Sequence, residues 1–328
     1  MKKDIYFEEN YAKLYEELEK GKTEIFEYED ENGKISNLFI KREIPILLDG
    51  KKYYDITTPY GYGGPIIEEC KANKNELLNK YNEQFTKYCN ENNIVSEFVR
   101  FHPLVNNAID FKEIYNVIYM RKTLGTNLEK YEDPMAEEYS KSCRKNIRQC
   151  KNKGVTYKVT EAPEDISKFK DIYYSTMDRN NATEYYYFKD EYFDKILKYF
   201  PKNIITVEAI YEDKTIAMGL YFIYNKILHI HLSGTLSEYL YLSPAYMLRY
   251  GATMWAKENG YKIIHHGGGR SNSAEDTLYL FKKNFAKNTD YDFYIGKKIF
   301  NQDIYNKLCK AKNTEDDNGF FPAYRKEV

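Results

Sequence analysis

Tyr261-Lys262-Ile263-Ile264-His265-His266-Gly267-Gly268-Gly269-Arg270-Ser271-Asn272-Ser273-Ala274-Glu275-Asp276-Thr277-Leu278-Tyr279-Leu280-Phe281-Lys282-Lys283-Asn284-Phe285 is the stretch on which the reading of this chain turns. Tyr261 to Ile264 is rich in β-branched and aromatic side chains and reads as a strand. It runs into three consecutive glycines, which let backbone approach a ligand closely and leave N–H groups to bind it. Ser273 with Asp276 three residues on reads as a variant capping box that starts an amphipathic helix. A helix N-terminus beside a glycine turn is suited to an anion or oxyanion. The same residues also suit a tight strand-to-helix turn with no ligand, because they form neither a Walker loop nor G-x-G-x-x-G.

Upstream of this stretch, Ile204 to Tyr211, Thr215 to Tyr224 and Ile227 to Ser233 read as a three-strand meander. Its turns are Glu212-Asp213-Lys214 and Asn225-Lys226. Ser243-Pro244 then supplies an N-cap and a first-turn proline for a helix that stops at Gly260. The strand to His265, the glycine turn and its helix follow, and Tyr291 to Phe300 reads as a closing strand. The N-terminal half has a related order: strands at Thr23–Glu29, Asn37–Arg42 and Lys52–Thr57, a loop Thr58-Pro59-Tyr60-Gly61-Tyr62-Gly63-Gly64-Pro65, a helix over Asn73–Glu91, and strands at Ile94–Phe101 and Tyr115–Lys122. The repeat is one of element order, not of residues. It predicts an α/β (α+β) chain in which a mixed sheet flanked by helices occurs twice. The division is expected at 132/133, with 1–132 as the first half and 133–328 as a helical connector plus the second half. The connector opens at Asp133-Pro134 and ends at Gly154. Its Lys141, Arg144, Lys145 and Arg148 share one helical face, which reads either as solvated charge or as a contact to phosphate or RNA backbone.

Composition narrows the function. The chain has 328 residues, 42% of them hydrophobic, and a formal charge of −1, so nothing global draws it to nucleic acid or anionic lipid. Tyr, at 35 copies against 18 Phe and one Trp, follows a Lys-, Asn- and Ile-rich composition and is not read as a base-stacking platform. Cys70, Cys89, Cys143, Cys150 and Cys309 are scattered, lack zinc spacing and read as reduced thiols of a cytoplasmic protein. The N-terminus has no signal-peptide core, and the most apolar region, 204–232, is interrupted by charge, so no membrane-spanning segment is expected. His229 and His231 stand two apart on one strand without an evident third ligand, so no metal is expected.

The doubled order of meander, helix, strand and glycine turn resembles the tandem GNAT-like fold of the FemABX-like peptidyltransferases, relatives of the GNAT N-acetyltransferases. Four stretches carry the resemblance: Ser142 to Val155, a basic helix ending in Lys-x-Gly-Val; Ala245 to Ile264; the glycine turn through Phe281-Lys282; and Pro59 to Pro65 with Val99-Arg100-Phe101-His102-Pro103-Leu104. The resemblance implies a transferase that moves an aminoacyl group from aminoacyl-tRNA to a primary amine of a UDP-linked or lipid-linked peptidoglycan precursor. It implies no metal, no organic cofactor and no DNA, and it leaves peripheral membrane association open. The alternative is an acyl-CoA-dependent N-acyltransferase acting on an amino sugar or other glycan amine. A non-catalytic binding protein of the same fold is a third reading. GNAT enzymes bind the CoA pyrophosphate at a glycine-bearing helix start, and Leu242 to Leu248 has no glycine, which argues against CoA.

Aminolysis of an ester needs a neutral amine, a stabilised oxyanion and aligned substrates, but no enzyme nucleophile. Lys282 matches the family's Phe-Lys position and is expected at the reaction centre, as a cation for the oxyanion or a phosphate. His266, beside His265, could accept the amine proton. Asp276 is expected as a cap first and a base second. Substrate contacts are expected from Tyr60, Tyr62, Gly63, Gly64, Arg100 and His102 on the acceptor side. Arg144 and Arg148 are expected at phosphates, and Gly267, Gly268, Gly269, Arg270 and Phe281 around the turn.

Overall fold

A computed structural model of the chain describes residues 3–273, 275–314 and 319–326. Packing divides the chain into two units, Met1–Met120 with Asp292–Val328, and Arg121–Tyr291. The sequence reading places one boundary, at 132/133. The structure has two, because the last strand and helix of the chain pack with the first unit.

The first unit starts with α1 (Glu9–Lys13) and a long hairpin, β1 (Gly21–Asp30) and β2 (Gly33–Glu43). The hairpin closes at Asp30↔Gly33. β3 (Tyr54–Thr57) and β4 (Ile66–Cys70) both pair with β2. α2 (Lys74–Glu91) is capped by Asn73, whose side chain accepts the N–H groups of Asn75 and Glu76. Its Leu77, Tyr81, Phe85 and Cys89, each four apart, form the stripe that packs on Ile35, Phe39 and Val99. β5 (Ile94–Arg100) then lies parallel to β3. The short α3 (Ala108–Phe111) leads to β6 (Asn116–Asn127), which crosses into the second unit.

In the second unit the connector is two helices. α4 (Pro134–Glu138) ends at Tyr139, and Ser140 recaps α5 (Lys141–Asn152) by accepting the N–H of Cys143. The single helix expected there breaks because a serine with extended backbone stands where the first helix stops. Cys143 and Cys150 are buried on one face of α5, and Gly154 ends it with φ +88°. β7 (Thr156–Glu161), which the sequence reading passed over, α6 (Ser167–Arg179) and α7 (Asp190–Tyr199) precede the meander β8 (Ile204–Tyr211), β9 (Lys214–Tyr224) and β10 (Ile227–Thr235). Both meander turns hold their central pair at positive φ, Glu212-Asp213 and Asn225-Lys226, as tight two-residue hairpins require. Ser243 differs from the expected cap: its φ is +54° and its side chain makes no capping bond to α8 (Pro244–Glu258). Gly260, at φ +66°, ends that helix.

β11 (Ile263–Gly267) runs parallel to β10 and antiparallel to the second half of β6. The strands of this unit run in the order β7-β8-β9-β10-β11-β6. α9 (Thr277–Lys283) follows the glycine turn. β12 (Asp290–Ile299) pairs through Ile295–Ile299 with Ser96–Arg100 of β5, and α10 (Gln302–Ala311) packs with it in the first unit. No helix among the described residues is long and apolar enough to cross a membrane.

Candidate functional site

The glycine turn is closed by the chain's own carboxylate. One oxygen of Asp276 accepts the N–H groups of Arg270 at 2.6 Å and Ser271 at 2.7 Å, and the other accepts the N–H of Tyr279 at 2.8 Å. Those bonds hold the Asp276 carboxyl down at about 2, so it is ionised at neutral pH. Asp276, and not Ser273, is the helix cap. The Ser273 hydroxyl accepts instead from the N–H of Glu275. The amide groups of Arg270 and Ser271, which follow the three glycines, are thus filled from within. A Cβ on Gly269 would stand 2.7 Å from the Asp276 carboxyl carbon, which explains that glycine as room for the cap. Gly267 has φ +72°, the left-handed conformation at the strand's end.

With the turn locked, α9 carries Lys282 back over it. The Lys282 Nζ donates to the Gly268 carbonyl at 2.6 Å. The residue is half-buried. Burial, with the charges of Arg249, Arg121 and Arg270, brings the ammonium down to about 7, and Asp276 opposes them. Arg121 ties the turn from β6 by donating to the carbonyls of Gly269 at 2.9 Å and Ser271 at 3.1 Å. Phe281 packs edge-on to Tyr246 and Phe285, fixing the inner face of α9.

His266 sits on β11 in the same neighbourhood and is fully buried. The Thr126 hydroxyl donates its one proton to the Phe285 carbonyl at 2.7 Å. At 2.9 Å it must therefore accept from His266 Nε2–H, which fixes the tautomer. Nδ1 is left as an acceptor, and it has no hydrogen-bond partner. Burial, reinforced by Arg249 and Lys282, holds this imidazole well below its ordinary value and hence neutral. His265 is buried too, with Nε2 3.1 Å from the Thr123 hydroxyl.

Arg249, on α8, escaped the sequence reading. It is 6% exposed, its Nη1 donates to the Tyr221 hydroxyl at 3.3 Å, and its Nε has no partner. The signal was present: a charged residue at a position that shares the helix face of Leu248, Ala252 and Ala256.

The remaining candidates fall elsewhere. Arg144 donates to the carbonyls of Ala136 at 2.8 Å and Tyr139, closing the end of α4, while Arg148 is exposed on α5. In the first unit His102 is fully enclosed. Its Nε2 is 2.7 Å from an Asp4 oxygen, and its Nδ1 accepts the N–H groups of Leu104 and Val105. Gly63 and Gly64 are buried; Gly64 has φ +82°, and a Cβ there would stand 2.4 Å from Val99. Tyr62 packs edge-on to Tyr6 and Phe293, and the Tyr60 carbonyl accepts from the Tyr11 hydroxyl. Arg100 donates to the Thr58 carbonyl at 3.1 Å.

Comparison with known proteins bears on the fold. A family model described as "Acetyltransferase (GNAT) domain" matches residues 138–276. A UDP-N-acetylmuramoylpentapeptide-lysine N(6)-alanyltransferase of Weissella viridescens is 23% identical over 202 residues, which are 60% of this chain and 59% of that protein. The crystal structure of FemX superposes with a TM-score of 0.66 at 12% identity, covering 91% of this chain and 92% of that one. The C-terminal domain of a lysylphosphatidylglycerol synthetase from Agrobacterium fabrum superposes at 0.58 and 13% identity over 92% and 90%. The Fem-like resemblance and the GNAT-type α/β fold read from the sequence are borne out, and the acyltransferase-type domain includes the glycine turn.

Proposed function

We propose that this chain is an aminoacyltransferase that moves an aminoacyl group from aminoacyl-tRNA to a primary amine of a peptidoglycan precursor. The observation that carries the reading is the pairing of Lys282, held over the glycine turn, with the partnerless Nδ1 of buried His266. The attacking amine forms the new C–N bond, the ester C–O bond breaks, and the amine proton passes to the leaving oxygen. Lys282, charged below about pH 7, donates to the tetrahedral oxyanion. His266 Nδ1 accepts a hydrogen bond from the amine and aims its lone pair. Asp276 keeps the turn and α9 in register. On α5, exposed Lys141, Lys145 and Arg148 offer charge to tRNA phosphates. Tyr60, Tyr62 and Arg100 are the proposed acceptor contacts in the first unit.

An acyl-CoA donor is the second reading, favoured by the GNAT domain match. It is weakened at α8, whose start has no glycine cradle and whose Ser243 makes no cap bond. The two are separated by intact mass. The chain is incubated with UDP-linked muramyl pentapeptide, charged tRNA and acetyl-CoA together. A gain of one amino-acid residue is expected. A gain of an acetyl group overturns the tRNA donor, and no gain overturns the acceptor.

A further inference from the structure

The first unit contains a cavity of about 520 Å³, within the ordinary range for a small-molecule site. Of its lining, only Arg100 is also a proposed acceptor contact. Its walls are mostly apolar: Phe98 of β5, Ile118 and Met120 of β6, and Phe321 after α10. Four cations also line it, and no acid does so among the described residues. Two of the four are neutralised. Arg42 and Arg325 share the fully buried Asp55, at 2.8 Å and 2.5 Å. The other two are not. Arg100 bonds only a carbonyl and lies over the Phe98 ring, and Lys297 lies 5.5 Å from the centre of the Phe321 ring.

Register brings these two cations together. On the antiparallel pair β5–β12, Arg100 stands opposite Ile295 and Phe98 opposite Lys297. Opposed residues share a face, and so do residues two apart along a strand, so Arg100 and Lys297 are diagonal neighbours on the cavity side. Two like charges at that spacing, over apolar walls and without a carboxylate, are unfavourable until an anion joins them. The cavity offers a nucleobase little: Thr57 is its one uncharged polar side chain.

We propose that this cavity binds a lipid phosphate, its phosphate or diphosphate bridging Arg100 and Lys297 and its aliphatic chain lying on Phe98, Ile118, Met120 and Phe321. The site is distinct from the glycine turn, and its test requires no acyl donor.

Titration calorimetry of the full chain with dodecyl phosphate, below its micelle concentration, tests the site against inorganic phosphate and UDP. Dodecyl phosphate is expected to bind at least about 100-fold more tightly than inorganic phosphate, because the chain adds apolar burial. Lys297→Gln is expected to weaken it about tenfold or more. Met120→Trp, which fills the cavity, is expected to abolish binding at an unchanged melting temperature. Geranyl diphosphate in a parallel arm distinguishes a diphosphate from a monophosphate lipid. Failure of dodecyl phosphate and geranyl diphosphate alike to bind overturns the proposal. So does UDP or inorganic phosphate binding as tightly as either, or full affinity in Lys297→Gln or Met120→Trp.

Discussion

Both units run antiparallel strands into a helix and then lay a new strand parallel to the third strand of the meander, β5 beside β3 and β11 beside β10. They part immediately after that strand. The first continues through Phe101 into His102, both of whose ring nitrogens are bonded, and into the short α3. The second ends in His266, with one nitrogen bonded and the other not, and then in the locked turn and α9. One topology has been used twice, and of His102 and His266, which follow or end the parallel strand, only His266 keeps an unsatisfied ring nitrogen. Such atoms are costly, so a site that retains one is where substrate is expected to complete the bonding.

The comparison breaks most sharply at Lys282. Lys282→Met is expected to lower turnover by about 10²–10³, the loss typical of one oxyanion donor, with little change in melting temperature. A folded variant with parental turnover would remove the chemistry from the glycine turn. The matching change in the first unit behaves oppositely. His102→Ala removes a hydrogen bond to a buried carboxylate and strands two backbone N–H groups, so about 2–4 kcal/mol of stability should go. Turnover per folded molecule should remain. Denaturant unfolding alongside single-turnover rates separates the two effects. A large rate loss in folded His102→Ala would make both copies catalytic.

Most of this architecture was legible because local signals agreed with the fold. Alternating strands, the turns at Asn225-Lys226 and Glu212-Asp213, the Asn73 cap and the stops at Gly154 and Gly260 each act within a few residues. What was not legible depends on distant partners. The exchange of closing strands cannot be read locally: β6 follows the first half in sequence yet pairs with β11, and β12 follows β11 yet pairs with β5. At the site, Lys282 and Asp276 were visible from spacing and resemblance. That the Arg270 and Ser271 amides are taken by Asp276 was not, because sequence shows donors without showing who reaches them. Arg249 was passed over because its helix face reads as core.

Arg249 supplies the finest test of the contrast. It is a buried guanidinium whose Nε has no partner, and its charge acts on both Lys282 and His266. A nearby positive charge disfavours a second one, so Arg249 lowers the Lys282 value and lowers that of His266. Arg249→Met removes one repulsion while burial, Arg121 and Arg270 persist. The Lys282 ammonium, at about 7 in the parent, should therefore rise part of the way toward its ordinary 10.5. Nitrogen-detected NMR of labelled lysine follows it directly. In the proposed chemistry only charged Lys282 donates strongly to the oxyanion, so the alkaline fall of kcat is expected to move upward by the same interval. A Lys282 value that stays near 7 in the folded variant would show that burial, Arg121 and Arg270 set it without Arg249. An activity that rises with deprotonation would recast Lys282 as the proton acceptor, with His266 left to orient the amine.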